Sequence, residues 1–235
     1  MYHFTSRVRF SEVDCNQELT LHALLNYFQD CSTFHSEATH MNIDELTAYG
    51  YAWLLASWQV VVNRMPHLGE TIKITTWPYD FKGFLGYRNF TIEDEAGNVC
   101  AYANTIWTFL NLNTMHPAKI LPDVAAAYPL SEAYPMENAP RKIALISEGT
   151  AVEPITVVKY QIDVNNHVNN AMYILMAQEY LPDGFDVVQM RAEYKNAAVL
   201  GDIIQPYISE QDNLFQVVLK GADGGTYAVI EFTRR

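Results

Sequence analysis

The sequence predicts an α+β chain built from two tandem copies of one unit, each an antiparallel sheet wrapped around a single central helix. Three observations carry that reading. An Asp-x-Asn tract recurs at an offset of 149 residues, as Asp14-Cys15-Asn16 and Asp163-Val164-Asn165, and each leads into an apolar stretch. A Leu-Gly-acid turn recurs as Leu68-Gly69-Glu70 and Leu200-Gly201-Asp202, each opening a β-rich run. Between the copies, five of the ten prolines (Pro117, Pro122, Pro129, Pro135 and Pro140) crowd into one segment. Proline fixes φ and lacks a backbone donor, so that segment joins the copies rather than extending either of them. The expected organisation is residues 1–112, a proline-rich linker at 113–150, and residues 151–235.

The elements follow in order. Residues 3–10 alternate enough for a strand, and 20–38 carry Leu24, Tyr27, Phe28, Cys31 and Phe34 at helical spacing. Runs rich in Val, Ile, Thr, Trp and Tyr predict strands near 53–64, 71–78, 84–94 and 99–112, with a hairpin turn at Asp94–Asn98. A short helix is expected at 123–127 in the linker. In the second copy the pattern predicts a strand at 155–162, a helix at about 169–180, and strands near 186–195, 202–209, 213–220 and 226–233. A Gly-rich turn at Asp223-Gly224-Gly225 separates the last two. A helix buried on several sides by a wrapped sheet is expected to be apolar on several faces.

Composition narrows the function. With 49% hydrophobic and 18% charged residues the chain can bury a core. No run approaches the ~20 apolar residues that span a bilayer, and the first residues lack the apolar heart of a secretory signal, so the expected location is cytoplasmic. Cys15, Cys31 and Cys100 are odd in number and have no metal-ligand spacing. They read as reduced thiols, with Cys15 the one candidate for reactivity, and neither metal nor cofactor is expected. A net charge of −12 argues against nucleic acid, whose binding rests on Lys and Arg. An acidic partner would need a local basic patch.

The candidate site is Asp163-Val164-Asn165-Asn166-His167. Were this segment extended, Asp163, Asn165 and His167 would share one side, since alternate residues of an extended chain do. Asn169 and Asn170 are good N-cap types for the helix that follows. A helix start offers free N–H groups and a positive dipole end to a developing oxyanion. Together these are the parts that acyl-transfer hydrolysis requires. Spacing alone leaves the rival reading open, in which the asparagines are caps and turns and the histidine is structural.

The run Asp163-Val164-Asn165-Asn166-His167-Val168-Asn169-Asn170-Ala171-Met172-Tyr173-Ile174 resembles the D-x-N-x-H-V-N-N-x-x-Y-I motif of plant and bacterial acyl-ACP thioesterases. Similar pieces occur in the family's order at Trp58–Pro66, Gly69–Ile72, Thr76-Trp77, Thr105–Thr108 and Ile120–Pro122. The resemblance covers nearly the whole chain. It implies two tandem hotdog domains, an acyl pocket shaped by the first half and catalysis in the second. Carried over residue by residue, it makes Asp163, Asn165 and His167 the catalytic acid, amide and imidazole, with Asp163 as general base or nucleophile. It also implies a substrate borne on acyl carrier protein, hydrolysed to a free fatty acid. Plant members carry a further Glu-Cys pair after a Glu-Tyr-Arg-Arg stretch, where this chain has Ala197-Ala198 after Glu193-Tyr194-Lys195-Asn196. Either the network is smaller here, or Glu193 or Glu179 substitutes.

Leu24, Tyr27, Phe28, Trp53 and Trp58 are candidates for lining the acyl pocket, with plain core packing as the competing role. Arg141-Lys142, Lys159, Arg191, Lys195 and Arg234-Arg235 are candidate carrier contacts. In the first copy Glu18 replaces the imidazole, so catalysis is expected at one site only, with the Asp14 region structural or dimer-related. Exposed sheet edges would allow two chains to pair. Three rival functions fit the same residues: a coenzyme A thioester hydrolase, a hydratase or dehydratase acting on acyl thioesters, and a non-catalytic acyl-binding module.

Overall fold

The computed structural model describes all 235 residues. They fall into two compact units, Met1–Ala56 with Val60–Asn138 and Ser57–Gln59 with Ala139–Arg235. The proline-rich stretch is thus divided at residue 138, its first part packing with the first unit and the remainder with the second.

The first unit contains β1 (Tyr2–Arg7), α1 (Leu21–Ala38), α2 (Ile43–Ala48), β2 (Tyr51–Val62) apart from Ser57–Gln59, β3 (Thr71–Lys82), β4 (Leu85–Asp94), β5 (Val99–Asn111), β6 (His116–Pro117) and α3 (Pro122–Ala127). Its main strands run in the order β1-β3-β4-β5-β2. The second unit contains β7 (Thr150–Ala151), β8 (Ile155–Thr156), α4 (Asn170–Gln178), β9 (Val187–Tyr194), β10 (Ile203–Gln211), β11 (Leu214–Gly221) and β12 (Thr226–Arg234). Its strands run β9-β12-β11-β10-β7, with β8 also paired to β10. Matching β1 with β7/β8, β3 with β10, β4 with β11, β5 with β12 and β2 with β9 makes the two topologies the same. The repeat read from sequence is therefore a repeat of fold.

Thr20 starts α1, its hydroxyl accepting from the Ala23 N–H at 3.2 Å. Leu24, Leu25, Phe28 and Cys31 recur at helical spacing and are all fully buried. Phe28 packs on Phe90 of β4 with ring centroids 5.1 Å apart. The hairpin at Asp94–Asn98 forms as expected: the Asp94 carboxylate accepts from the N–H groups of Ala96 and Asn98, and Gly97 takes φ +83°. Some elements differ from expectation: the first strand ends at Arg7, and short strands form at His116–Pro117 and Thr150–Ala151. Helix α2 went unread, although Asn42 and Glu45 form a reciprocal capping box. The strand expected at 155–162 stops at Thr156, and a 3-10 turn takes Lys159–Gln161. There the Gln161 amide oxygen accepts from Val158 N at 2.8 Å, so a side chain takes a backbone donor the sheet would have used.

Near the end of α1 the first unit buries a cation that has no carboxylate. The Arg88 guanidinium donates to His35 Nδ1 at 2.9 Å and Thr76 Oγ1 at 3.1 Å, and lies 5.6 Å from the Tyr128 ring centroid. Arginine has no acceptor, so His35 must present a bare Nδ1 and carry its proton on Nε2. Burial, with Arg88 adding to it, pushes the His35 imidazole down to about 3. Burial also lowers Arg88, to about 10, so the cation persists.

His35 stays neutral in the folded chain down to about pH 3 but protonates near 6.5 when unfolded. Its contribution to stability is therefore complete above pH 6.5 and falls as the pH drops toward 3, by ~1.4 kcal/mol per pH unit. His35→Gln keeps an acceptor for Arg88 and removes the titration. Thermal unfolding from pH 7 to 4 should show a flatter decline for this variant, and parallel declines would contradict the assignment.

Candidate functional site

The turn that precedes each central helix is built the same way in both units. In the second, Asp163 N donates to His167 O at 2.8 Å, Asn166 N donates to Asp163 O at 3.0 Å, and Ile162 bridges to Val168. In the first, Asp14 N donates to Glu18 O, Gln17 N donates to Asp14 O, and Val13 bridges to Leu19. Asn166 and Gln17 are both left-handed, at φ +61° and +64°. Asparagine is among the few non-glycine residues that tolerate that region. The surrounding bonds also correspond. Asn169 N donates to Gln161 O as Thr20 N does to Glu12 O, and Gly201 N to Val157 O as Gly69 N does to Val8 O.

Asp163–His167 is consequently a closed turn, so the condition for a shared side, an extended chain, is not met and the argument from alternation does not apply. The Asp163 side chain folds back into the turn, its Oδ1 accepting from Asn165 N at 2.8 Å. An aspartate that satisfies a nearby backbone N–H competes with strand formation, which is the physical reason for the difference. The acid, amide and imidazole still share one five-residue turn. Asp163 is half-buried, while Asn165 and His167 are exposed, and neither of those two side chains bonds to another part of the chain.

The helix start is where the sequence placed it. Asn169 caps α4, its Oδ1 accepting from Ala171 N at 2.9 Å, and Asn170 is the first helical residue. The Asn170 carbonyl accepts from the Tyr194 hydroxyl at 2.9 Å, which ties the first turn of α4 to β9. Tyr173 is 2% exposed, and its hydroxyl accepts from Ala198 N at 2.8 Å. Ala198 O in turn accepts from Val168 N. Burial pushes the Tyr173 phenol up to about 12, so it stays protonated. This brace of Tyr173, Ala198 and Val168 was not read from the sequence, where Ala198 registered only as a missing functional group.

The two proposed substitutes for the Glu-Cys pair are not at the turn. Glu179 is exposed at the C-cap of α4, the far end of the helix from His167. Glu193 is buried, but on β9 it alternates with Ala192 and Tyr194, and Tyr194 is the residue that reaches α4. Its carboxylate accepts from Ile143 N at 3.1 Å on the opposite face of the sheet.

The pocket candidates divide. Leu24, Tyr27, Phe28 and Trp58 are buried, and Trp53 is half-buried against Phe81 and Phe109. The Tyr27 hydroxyl donates to Glu12 at 2.7 Å, a structural tie. Among the candidate carrier cations, Arg191 is engaged by Glu231 and the Pro140 carbonyl. Lys195 lies near Glu193, Arg234 near Glu210 and Arg235 near Asp186, whereas Lys159 makes no ion pair.

The two aspartates differ in how far they are occupied. Asp14 spends both oxygens, Oδ1 on the N–H groups of Asn16 and Glu18 and Oδ2 on the Asn16 amide. Asp163 accepts one bond, on Oδ1, and its Oδ2 is unclaimed. The second copy carries its unclaimed aspartate oxygen on the turn that also holds His167 and leads into α4. In the first copy the nearest imidazole is His67, with Nε2 3.7 Å from Glu18 Oε1.

Comparison with known proteins agrees with the repeated fold. Residues 1–128 match the acyl-ACP thioesterase N-terminal domain, and residues 147–229 match the C-terminal domain. An acyl-[acyl-carrier-protein] hydrolase of Cuphea viscosissima chloroplasts is 25% identical over 93% of this chain; the chain spans 58% of that relative's length. Among solved structures, an acyl-ACP thioesterase from Bacteroides thetaiotaomicron superposes with a TM-score of 0.92 at 24% identity, covering 99% of this chain and 97% of that one. The 12:0-ACP thioesterase of Umbellularia californica gives 0.89 at 18% identity, covering 100% and 96%. At these identities the superpositions speak for the fold, two tandem hotdog domains.

The left-handed turn residue gives a direct test. Asn166→Gly should leave stability nearly unchanged, whereas Asn166→Val should cost ~1–2 kcal/mol, because a β-branched side chain clashes in that region. Urea midpoints will report both, and a valine variant as stable as the native chain would contradict the turn geometry.

Proposed function

The chain belongs to the acyl-ACP thioesterase family, and from that premise we propose that it hydrolyses fatty acyl thioesters of acyl carrier protein at the Asp163–His167 turn. The observation that carries the reading is the unclaimed Asp163 oxygen, in the copy that also holds an imidazole and a capped helix start. The fully occupied Asp14 has no such freedom.

The chemistry follows from those parts. Asp163 Oδ2 takes a proton from water as the water oxygen bonds to the thioester carbonyl carbon; alternatively that oxygen attacks the carbon itself and the resulting anhydride is then hydrolysed. Asn165 and His167 orient the reacting groups from the same turn. The positive end of α4 suits the negative charge that develops on the carbonyl oxygen. Collapse breaks the C–S bond, and the sulfur leaves as the carrier's thiol after taking a proton. Water and thioester thus give a free fatty acid and a thiol, which ends chain elongation. Because Asn165 and His167 stand in the open, the arriving carrier and its acyl group would have to supply the dry surroundings in which such charges act strongly.

Release of free thiol from an acyl-loaded carrier tests these roles. Asp163→Asn and His167→Ala should each lower kcat by ~10²-fold or more, the usual worth of a positioned acid–base group. Asp163→Asn retains an oxygen for the Asn165 N–H, so it should fold normally. Losses below about tenfold in both variants would remove the assignment.

A further inference from the structure

Because the two units share a backbone, the first serves as a control for the surface chemistry of the second. Around the Asp163 turn, the segments 157–161 and 198–203 are laced together by backbone bonds: Val157 N to Asp202 O, Gly201 N to Val157 O, and Val168 N to Ala198 O. Six apolar side chains on these segments and the turn are exposed: Val158, Tyr160, Val164, Val199, Leu200 and Ile203, with Val164 at 82% and Tyr160 at 74%. The corresponding positions of the first copy hold Arg9, Ser11, Cys15, His67, Leu68 and Thr71. A shared scaffold therefore displays a mostly polar rim in one unit and an apolar collar in the other. The collar surrounds the turn whose aspartate has a free oxygen.

Charge changes in the same direction. Glu12 and Glu18 of the first copy correspond to Gln161 and His167, and Phe10 corresponds to Lys159. The second turn thus loses two carboxylates, while Lys159 offsets the loss of Arg9, on a chain of net charge −12. Exposed apolar residues scattered singly are ordinary, but six on adjoining segments beside a candidate site mark an interaction surface. Removing negative charge there suits an anionic partner, which the rest of this acidic chain repels.

We propose that this collar, with Lys159 beside it, is the docking surface for the protein part of the acyl carrier, whose phosphate-bearing arm then delivers the thioester to Asp163. The inference rests on the thioesterase reading and adds to it the surface that tells a carrier-borne substrate from a small thioester. Docking on the collar also covers Asn165 and His167, which the chain itself leaves open.

The test replaces collar residues with those that the same scaffold carries in the first copy, Tyr160→Ser, Val199→His and Ile203→Thr together. The substrates are dodecanoyl-loaded acyl carrier protein and the dodecanoyl thioester of N-acetylcysteamine. The ratio of kcat/KM for carrier over small thioester should fall at least tenfold, mainly through the carrier's KM. Phe10→Ser, at the exposed aromatic of the first copy, should leave that ratio within threefold. An unchanged ratio in the triple variant, or an equal fall in the Phe10 variant, would overturn the proposal. Calorimetric titration with unloaded holo-carrier covers the case of weak turnover: affinity should drop at least tenfold in the triple variant, and equal affinity, or no binding to the native chain, would also overturn it. Loss of turnover in Asp163→Asn with carrier affinity retained would mark a catalytic defect, distinct from a failure of docking.

Discussion

The hydrogen bond from Asn165 N to the Asp163 carboxylate is the constraint on which the rest of the site depends. It closes a turn that would otherwise continue the strand direction, and it sends the chain into α4 within a few residues. Because that turn is tight, acid, amide and imidazole come from one stretch of chain and need no long-range packing to stay together. The brace from Tyr173 through Ala198 to Val168 holds the turn against the helix it feeds. The geometry of the candidate site and the local folding are here set by the same few bonds.

The two copies show what this scaffold permits. Both keep the aspartate, the left-handed residue and the backbone ladder, so those belong to the fold. What differs is the occupation of the carboxylate and the residues around it. In the first unit Asp14 is consumed by its own turn, and polar side chains edge it. In the second, two of the three bonds to the aspartate are absent, an imidazole replaces Glu18, and the surroundings turn apolar. The candidate site thus differs from its counterpart by departures from a common pattern, and comparison within the chain separates what the fold keeps from what it lets vary.

Much of this was legible in the sequence. The repeat announced two units because Asp-x-Asn and Leu-Gly-acid recur at matching places, and strands and central helices followed from their periodicities. Residue type offered Asn169 or Asn170 as the cap, and Asn169 takes that place. The conformation of 163–167 stayed open, because alternation says nothing when a side chain takes the backbone donor; the same competition through Gln161 cut short the strand expected at 155–162. Glu193 and Glu179 were plausible by composition but depended on which side of a strand and which end of a helix they occupied. The apolar collar was invisible for a similar reason. Val158, Tyr160 and Ile203 look like strand or core residues until the 3-10 turn and the edge of β10 leave them in solvent.

The most direct measurement is a crystal structure of the Asp163→Asn chain with a carrier bearing a non-hydrolysable acyl thioether. The account predicts the thioether sulfur and adjoining carbon beside the turn, within hydrogen-bond reach of residue 163 and His167 in the second unit. Density for that group at the Asp14 turn, or anywhere remote from the start of α4, would contradict it.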